Sequence, residues 1–211
     1  MSTHSPGERA GRRGRGRPRD PEADAAILRA ALDLFIEGGV EGTSIEQIAK
    51  RAGVGKLTVY RRWSSKEELL ARAIESVREG IPEAPAEDFV SVPLAELIER
   101  ALPAVAETLA DDRFGALVAR IFGSSTSHPS LMATYWEHYI LPRRQATQVL
   151  LERARKEGAL AEDTDMDVLI DMMVGAVLYR AIQPEPLDTA EARRYLEAVY
   201  RQAGLLPPGR R

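Results

Sequence analysis

The chain has 211 residues, 44% of them hydrophobic, enough to bury a medium-sized core beside a smaller unit. It has no cysteine, which excludes a disulfide framework, a thiolate nucleophile and a cysteine zinc site. The net charge of −3 is unevenly spread, with 15 Lys+Arg against 12 Asp+Glu in residues 1–80 and an acidic remainder, so one end is suited to a polyanion.

Residues 1–19 are polar and rich in Gly and Arg, and are expected to form a disordered basic arm. They lack the apolar segment of a secretory signal, and no apolar run approaches the roughly 18–20 residues of a membrane span, so a cytoplasmic protein with no membrane partner is expected. The arm ends in Gly14-Arg15-Gly16-Arg17-Pro18-Arg19. This Arg-Gly-Arg-Pro run resembles the core of an AT-hook, an extended strand lying in the narrow minor groove of A·T-rich DNA. Arg15, Arg17 and Arg19 are therefore candidate DNA contacts, the plainer alternative being a solubilising tail. Asp20 followed by Pro21 predicts a helix start, with Ile27, Leu28, Ala31, Leu32, Leu34 and Phe35 on the buried face and Gly38-Gly39 as the stop.

Thr43 and Ser44 are N-cap residue types, and Gln47 stands at capping-box spacing from Ser44. Ile45, Ile48 and Ala49 give the short helix that follows one apolar face, and Gly53 ends it where positive φ is expected. The segment Gly55–Trp63 carries Lys56, Arg61 and Arg62 and no acid, and predicts a second, basic helix. Two helices joined by a short glycine turn are the sequence form of a helix-turn-helix whose second helix enters a major groove. Ser65 and Glu68 predict another capping box, with Lys66 in the first turn of the next helix, where exposed backbone N–H groups suit a DNA phosphate. These four helices make a DNA-binding unit over residues 20–80.

The run Thr43, Ile48-Ala49, Ala52-Gly53-Val54, Gly55-Lys56, Thr58-Val59-Tyr60, Arg61-Arg62, Trp63 and Ser65-Lys66-Glu67-Glu68-Leu69 resembles the signature of the tetracycline-repressor (TetR) family of bacterial transcription regulators. Leu57 departs from it, since the family usually has a small residue there. The resemblance implies that the basic helix docks on double-stranded DNA, with Gly55 at its start and Trp63 at its end. Lys56, Leu57 and Thr58 would face bases, and Thr43, Ser44, Tyr60, Arg61, Arg62 and Lys66 would hold phosphates.

The rest of the chain, residues 81–211, is expected to be wholly helical. Ile81 to Pro93, with three prolines, reads as a connection. Helices are predicted over Leu94–Ala110 with Pro103 as a kink, Asp112–Gly123, Ser130–Gly158 bent at Pro142, Asp167–Ile182 and Thr189–Ala203, with a break at Ser124–Pro129. The Asp167–Ile182 helix is apolar nearly all round, which predicts burial on several sides. By the resemblance, the last two helices pair with a second copy through Leu169, Met172, Met173, Ala176, Val177, Tyr195, Leu196 and Val199, making a homodimer. Phe114, Phe122, Met132, Tyr135, Trp136, His138 and Tyr139 would likewise line a pocket for an unknown small hydrophobic or aromatic effector.

No G-x-S-x-G, H-E-x-x-H or P-loop motif is present, and His4, His128 and His138 are far apart in the chain, so neither enzyme, metal site nor cofactor is expected. The expected protein is an all-α homodimeric repressor released from a palindromic operator by a ligand. The alternatives are an architectural A·T-rich-DNA-binding protein and a ligand-independent regulator.

Overall fold

A computed structural model describes residues 21–78 and 88–208, leaving aside the side chains of Phe89 and Val90. The arm with Arg15, Arg17 and Arg19, the cap at Asp20 and the first part of the expected connection lie outside the described residues. Those described form helices and turns without a strand.

Helix α1 (Pro21–Gly38) opens with Pro21 and buries Ile27, Leu28, Ala30, Ala31, Leu34 and Phe35. It ends where Gly39 adopts φ 67°, a left-handed conformation that glycine takes without a Cβ clash. Ser44 then caps α2 (Ile45–Arg51): its side chain accepts from the Gln47 N–H at 3.2 Å, and the Gln47 side chain accepts from the Ser44 N–H at 2.9 Å. Helix α3 (Lys56–Tyr60) is shorter than the expected Gly55–Trp63, because the chain turns after Tyr60 and brings Trp63 against the core. Helix α4 (Lys66–Glu75) is capped by Ser65, which accepts from the Glu68 N–H at 3.0 Å, and runs on as a 3-10 turn over Ser76–Arg78. The Glu68 carboxylate accepts from the N–H and hydroxyl of Ser64, not of Ser65, so the expected box is only half formed.

A short α5 (Asp88–Ser91) precedes α6 (Leu94–Ala110), which contains Pro103, and α7 (Asp112–Ser124) follows. The long helix expected over Ser130–Gly158 is three pieces: α8 (Pro129–Tyr135), one wide turn over Trp136–Ile140, and α9 (Leu141–Lys156). The interruption precedes Pro142, which has no N–H to give the carbonyl four residues back. Helices α10 (Met166–Ala181) and α11 (Thr189–Gln202) complete the chain.

Two cores result. The first joins α1–α4 and also takes Leu117 of α7 and Leu131 of α8. The second joins α6, α9, α10 and α11 around Leu102, Leu151, Ile170 and Leu196. The first four helices are thus completed by later ones, and polar ties follow the same seam. Arg120 of α7 donates to the carbonyls of Ile36 and Glu37, each at 2.8 Å, satisfying carbonyls that the end of α1 leaves unpaired. Arg113 pairs with Asp33, and Arg143 with Glu75. Among the described residues, no helix is long and apolar enough to cross a membrane.

Candidate nucleic-acid interface

The geometry of the interface begins at the turn. Gly53 adopts φ 68°, and Val54 N–H reaches back to the Ala49 carbonyl at 3.0 Å, closing α2 and setting the direction of α3. At five residues α3 is too short to be stable alone. It is held by Val59, which is fully buried, while Leu57 is 72% and Tyr60 50% exposed. Gly55, Lys56 and Arg61 are exposed with them, and Thr58 is half-buried. A methyl group at Gly55 would meet only the Thr58 hydroxyl, at 3.9 Å, so packing within the chain does not demand glycine there.

Lys56 is not a free cation. Its ammonium pairs with Glu46 in the first turn of α2 and lies 5.5 Å from the centre of the Tyr60 ring. The hydrogen bond from Lys56 holds the Glu46 carboxyl below the usual carboxylate range, and the same bond raises the Lys56 ammonium. Sequence reading missed Glu46, since only the crossing of α2 and α3 brings it to Lys56.

Four residues expected to touch DNA have other work in this structure. Thr43 is buried, and its hydroxyl donates to the Gly39 carbonyl at 2.7 Å, closing the turn between α1 and α2. Lys66 reaches into the same turn and donates to the Val40 carbonyl at 3.0 Å. Arg62 pairs with Asp24 of α1 and donates to the Thr58 carbonyl at 3.2 Å. Trp63 is half-buried against the first core. Carbonyls in and after short helices need donors, and these side chains supply them or pack beneath them. Ser44 caps α2 and stays half-exposed.

The residues expected around an effector do not converge. Tyr135 and Tyr139 pack against the first core, with ring centres 5.9 Å apart, whereas Phe114 packs against the second. Burial raises the Tyr135 and Tyr139 phenols above their ordinary value. Phe122 and Trp136 are about half exposed, at 52% and 49%. His138 is exposed, Met132 half-buried, and Trp136 lies 5.9 Å from the Arg144 guanidinium. None of the seven lines a cleft of about 380 Å³ between the start of α7 and the end of α10, where Asp111, Gly115, Ala119, Arg180, Gln183 and Pro186 meet. Nor does any line a cleft of about 700 Å³ beside Ala95, Ala198 and Leu205.

Placement also changes the expected pairing surface. Leu196 is 1% exposed inside the second core, and Leu169, Met173, Val177 and Tyr195 pack against that core, Tyr195 donating to the Ala176 carbonyl at 3.0 Å. Ala176 and Val199 are half-buried. Of the eight, Met172 is the exposed one, at 66%. Val168, Tyr179 and Ile182, also exposed, continue it at helical spacing along α10.

A helix-turn-helix that presents its second helix on the surface defines a DNA-binding transcriptional regulator. The family profile "Bacterial regulatory proteins, tetR family" matches residues 27–73, and "Tetracyclin repressor-like, C-terminal domain" matches residues 94–199. YdeS of Bacillus subtilis (strain 168), an uncharacterized HTH-type transcriptional regulator, is 32% identical over 171 residues, covering 80% of this chain and 82% of that one. The DNA-binding transcriptional repressor TetR of Mycobacteroides abscessus is 26% identical over 191 residues, covering 89% and 95%. Among solved structures, the flavonoid-responsive regulator FrrA aligns with a TM-score of 0.58 at 26% identity, over 87% of this chain and 96% of that one. The chain belongs to the tetR family of bacterial regulatory proteins.

Proposed function

We propose that this protein is a homodimeric repressor that sets α3 of each copy into successive major grooves of a palindromic operator and leaves it when a small molecule binds. The observation that carries the reading is the exposure of Lys56, Leu57, Tyr60 and Arg61 on a short helix anchored by the buried Val59. Gly55 supports it, because a glycine that internal packing does not require permits close approach to a DNA backbone. Lys56, Leu57 and Thr58 face bases, and Ser44, Tyr60 and Arg61 hold phosphates. Working on DNA, the protein acts in the cytoplasm.

The second copy covers the apolar stripe of Val168, Met172 and Tyr179 on α10, with Ile182 at its C-terminal cap. Gly175 lies within that stripe, and a methyl group there would have nothing within 4 Å, so a partner helix has room to approach. The effector is small and hydrophobic or aromatic, in keeping with the flavonoid response named for FrrA. The cleft between α7 and α10 is its most direct route to the DNA, because α7 is tied to α1 through Arg120 and Arg113. An effector shifts the separation of the two recognition helices only insofar as it binds the two arrangements differently.

Selection from a random pool of duplexes tests the reading. A palindromic consensus with half-sites about 34–36 Å apart, one helical turn, is expected. Enrichment for A·T content alone would replace it with an architectural role.

A further inference from the structure

Glu46 is out of place on a surface meant for phosphates. Helix α3 has no acid, yet this exposed carboxylate on α2 projects beside it and meets Lys56, the foremost cation of the helix. A negative group so placed opposes DNA binding in every sequence unless it does something sequence-dependent. An ammonium has three donors and no acceptor. Here one is directed to Glu46 and a second to the Tyr60 hydroxyl, whose ring also limits the side chain from within α3. One donor remains, and the edge of guanine in the major groove offers it the acceptors O6 and N7.

We propose that Glu46 is a positioning residue that sets sequence specificity, holding Lys56 so that its remaining donor meets a guanine edge. This rests on α3 being the helix that enters the groove. On a cognate site the Lys56–Glu46 pair is kept and Lys56 gains a base acceptor. On any other sequence Lys56 reaches a phosphate only by leaving Glu46, which strands a carboxylate facing the DNA. The pair therefore leaves cognate binding intact and withholds Lys56 from the phosphates of other duplexes. A pair that had to break on both kinds of site would lower both affinities alike and discriminate nothing.

The test uses the full chain, a random duplex pool, and fluorescence anisotropy of the enriched operator and a scrambled duplex over a KCl series. E46Q keeps the shape of an exposed side chain and should retain the helix content and melting curve of the unaltered protein. It should bind the scrambled duplex about three- to fivefold more tightly for each copy engaged, roughly tenfold or more for the dimer, the factor expected when an exposed ion pair in each copy no longer competes. Its salt dependence on that duplex should steepen by about 1.8 log units per log unit of salt, one extra phosphate contact from each copy. The consensus enriched by E46Q should lose guanine at one position of each half-site. K56Q should lose that same position, and the double variant should lose no more. The inference is overturned if E46Q changes all duplexes by one factor with the consensus intact, or relaxes a position that K56Q preserves. If the unaltered protein enriches no palindrome, docking by α3 fails and this inference fails with it. If it enriches one that E46Q retains, only the inference fails.

Discussion

Replacing Val59 with Ala separates the anchor of α3 from its reading face. Val59 is fully buried, and the truncation removes two carbons from a packed site. At about 0.8 kcal/mol per buried carbon the transfer loss is roughly 1.6 kcal/mol. The cavity left behind brings the total to about 2–3 kcal/mol. With a urea slope of about 2–3 kcal/mol per molar, the unfolding midpoint should fall by roughly 1 M at fixed protomer concentration. Operator affinity should fall as well, because α3 at five residues does not hold its shape alone. L57A is the contrasting variant: the side chain is 72% exposed, so its stability should stay within about 0.5 kcal/mol of the original while the enriched consensus changes. A V59A midpoint equal to that of the unaltered protein, or an L57A loss as large as that of V59A, would refute the assignment of buried and reading faces.

Charging the α10 stripe, as in M172E or Y179E, should give a monomer with weak operator binding and an unchanged far-ultraviolet spectrum, measured by light scattering and circular dichroism. A dimer that survives both substitutions would move the pairing surface elsewhere. G115A should destabilise the chain by about 1–3 kcal/mol in thermal unfolding, because a methyl group there would lie 2.4 Å from the Ala181 carbonyl oxygen, backbone against backbone. An unchanged melt would contradict that close approach of α7 and α10. Burial raises the phenols of Tyr135, Tyr139 and Tyr200. The unfolded chain therefore releases those protons first, so stability is complete below about pH 10 and is lost as pH rises through the raised values. In an ultraviolet titration Tyr135, Tyr139 and Tyr200 should ionise together with unfolding, and Y135F should lessen the alkaline loss. Ionisation of these three phenols at the ordinary value with the fold intact would exclude this.

What the residues announced in advance are the features made by atoms close together in the chain. The box of Ser44 and Gln47 spans three residues, and the positive φ of Gly53 is a matter of one. The bounds Leu94–Ala110 for α6 follow from flanking turn residues and an unbroken apolar face, and Pro103 inside it does not end the helix. Family membership was legible for the same reason: its signature is one ungapped run across the turn and the helices beside it. That run also named Lys56 and Tyr60, which stand on the exposed face of α3 beside Leu57, the residue that departs from it.

Tertiary structure decided how the remaining polar groups are used. Arg62, Lys66 and Thr43 are the residue types that hold phosphates, but Asp24, the Val40 carbonyl and the Gly39 carbonyl reach them first. Two of these partners are 38 and 26 residues away, beyond anything spacing can reveal. Glu46 meets Lys56 only because α2 and α3 cross. The residues of Phe114–Tyr139 were assigned to one pocket by the family resemblance, yet the interruption before Pro142 and the packing of α8 send Tyr135 and Tyr139 to one core and leave Trp136 outside. An all-round apolar helix such as α10 has no period that marks a face. Which of its side chains enter the second core and which remain for a partner was settled by the helices packed against it, burying Ile170 and exposing Met172.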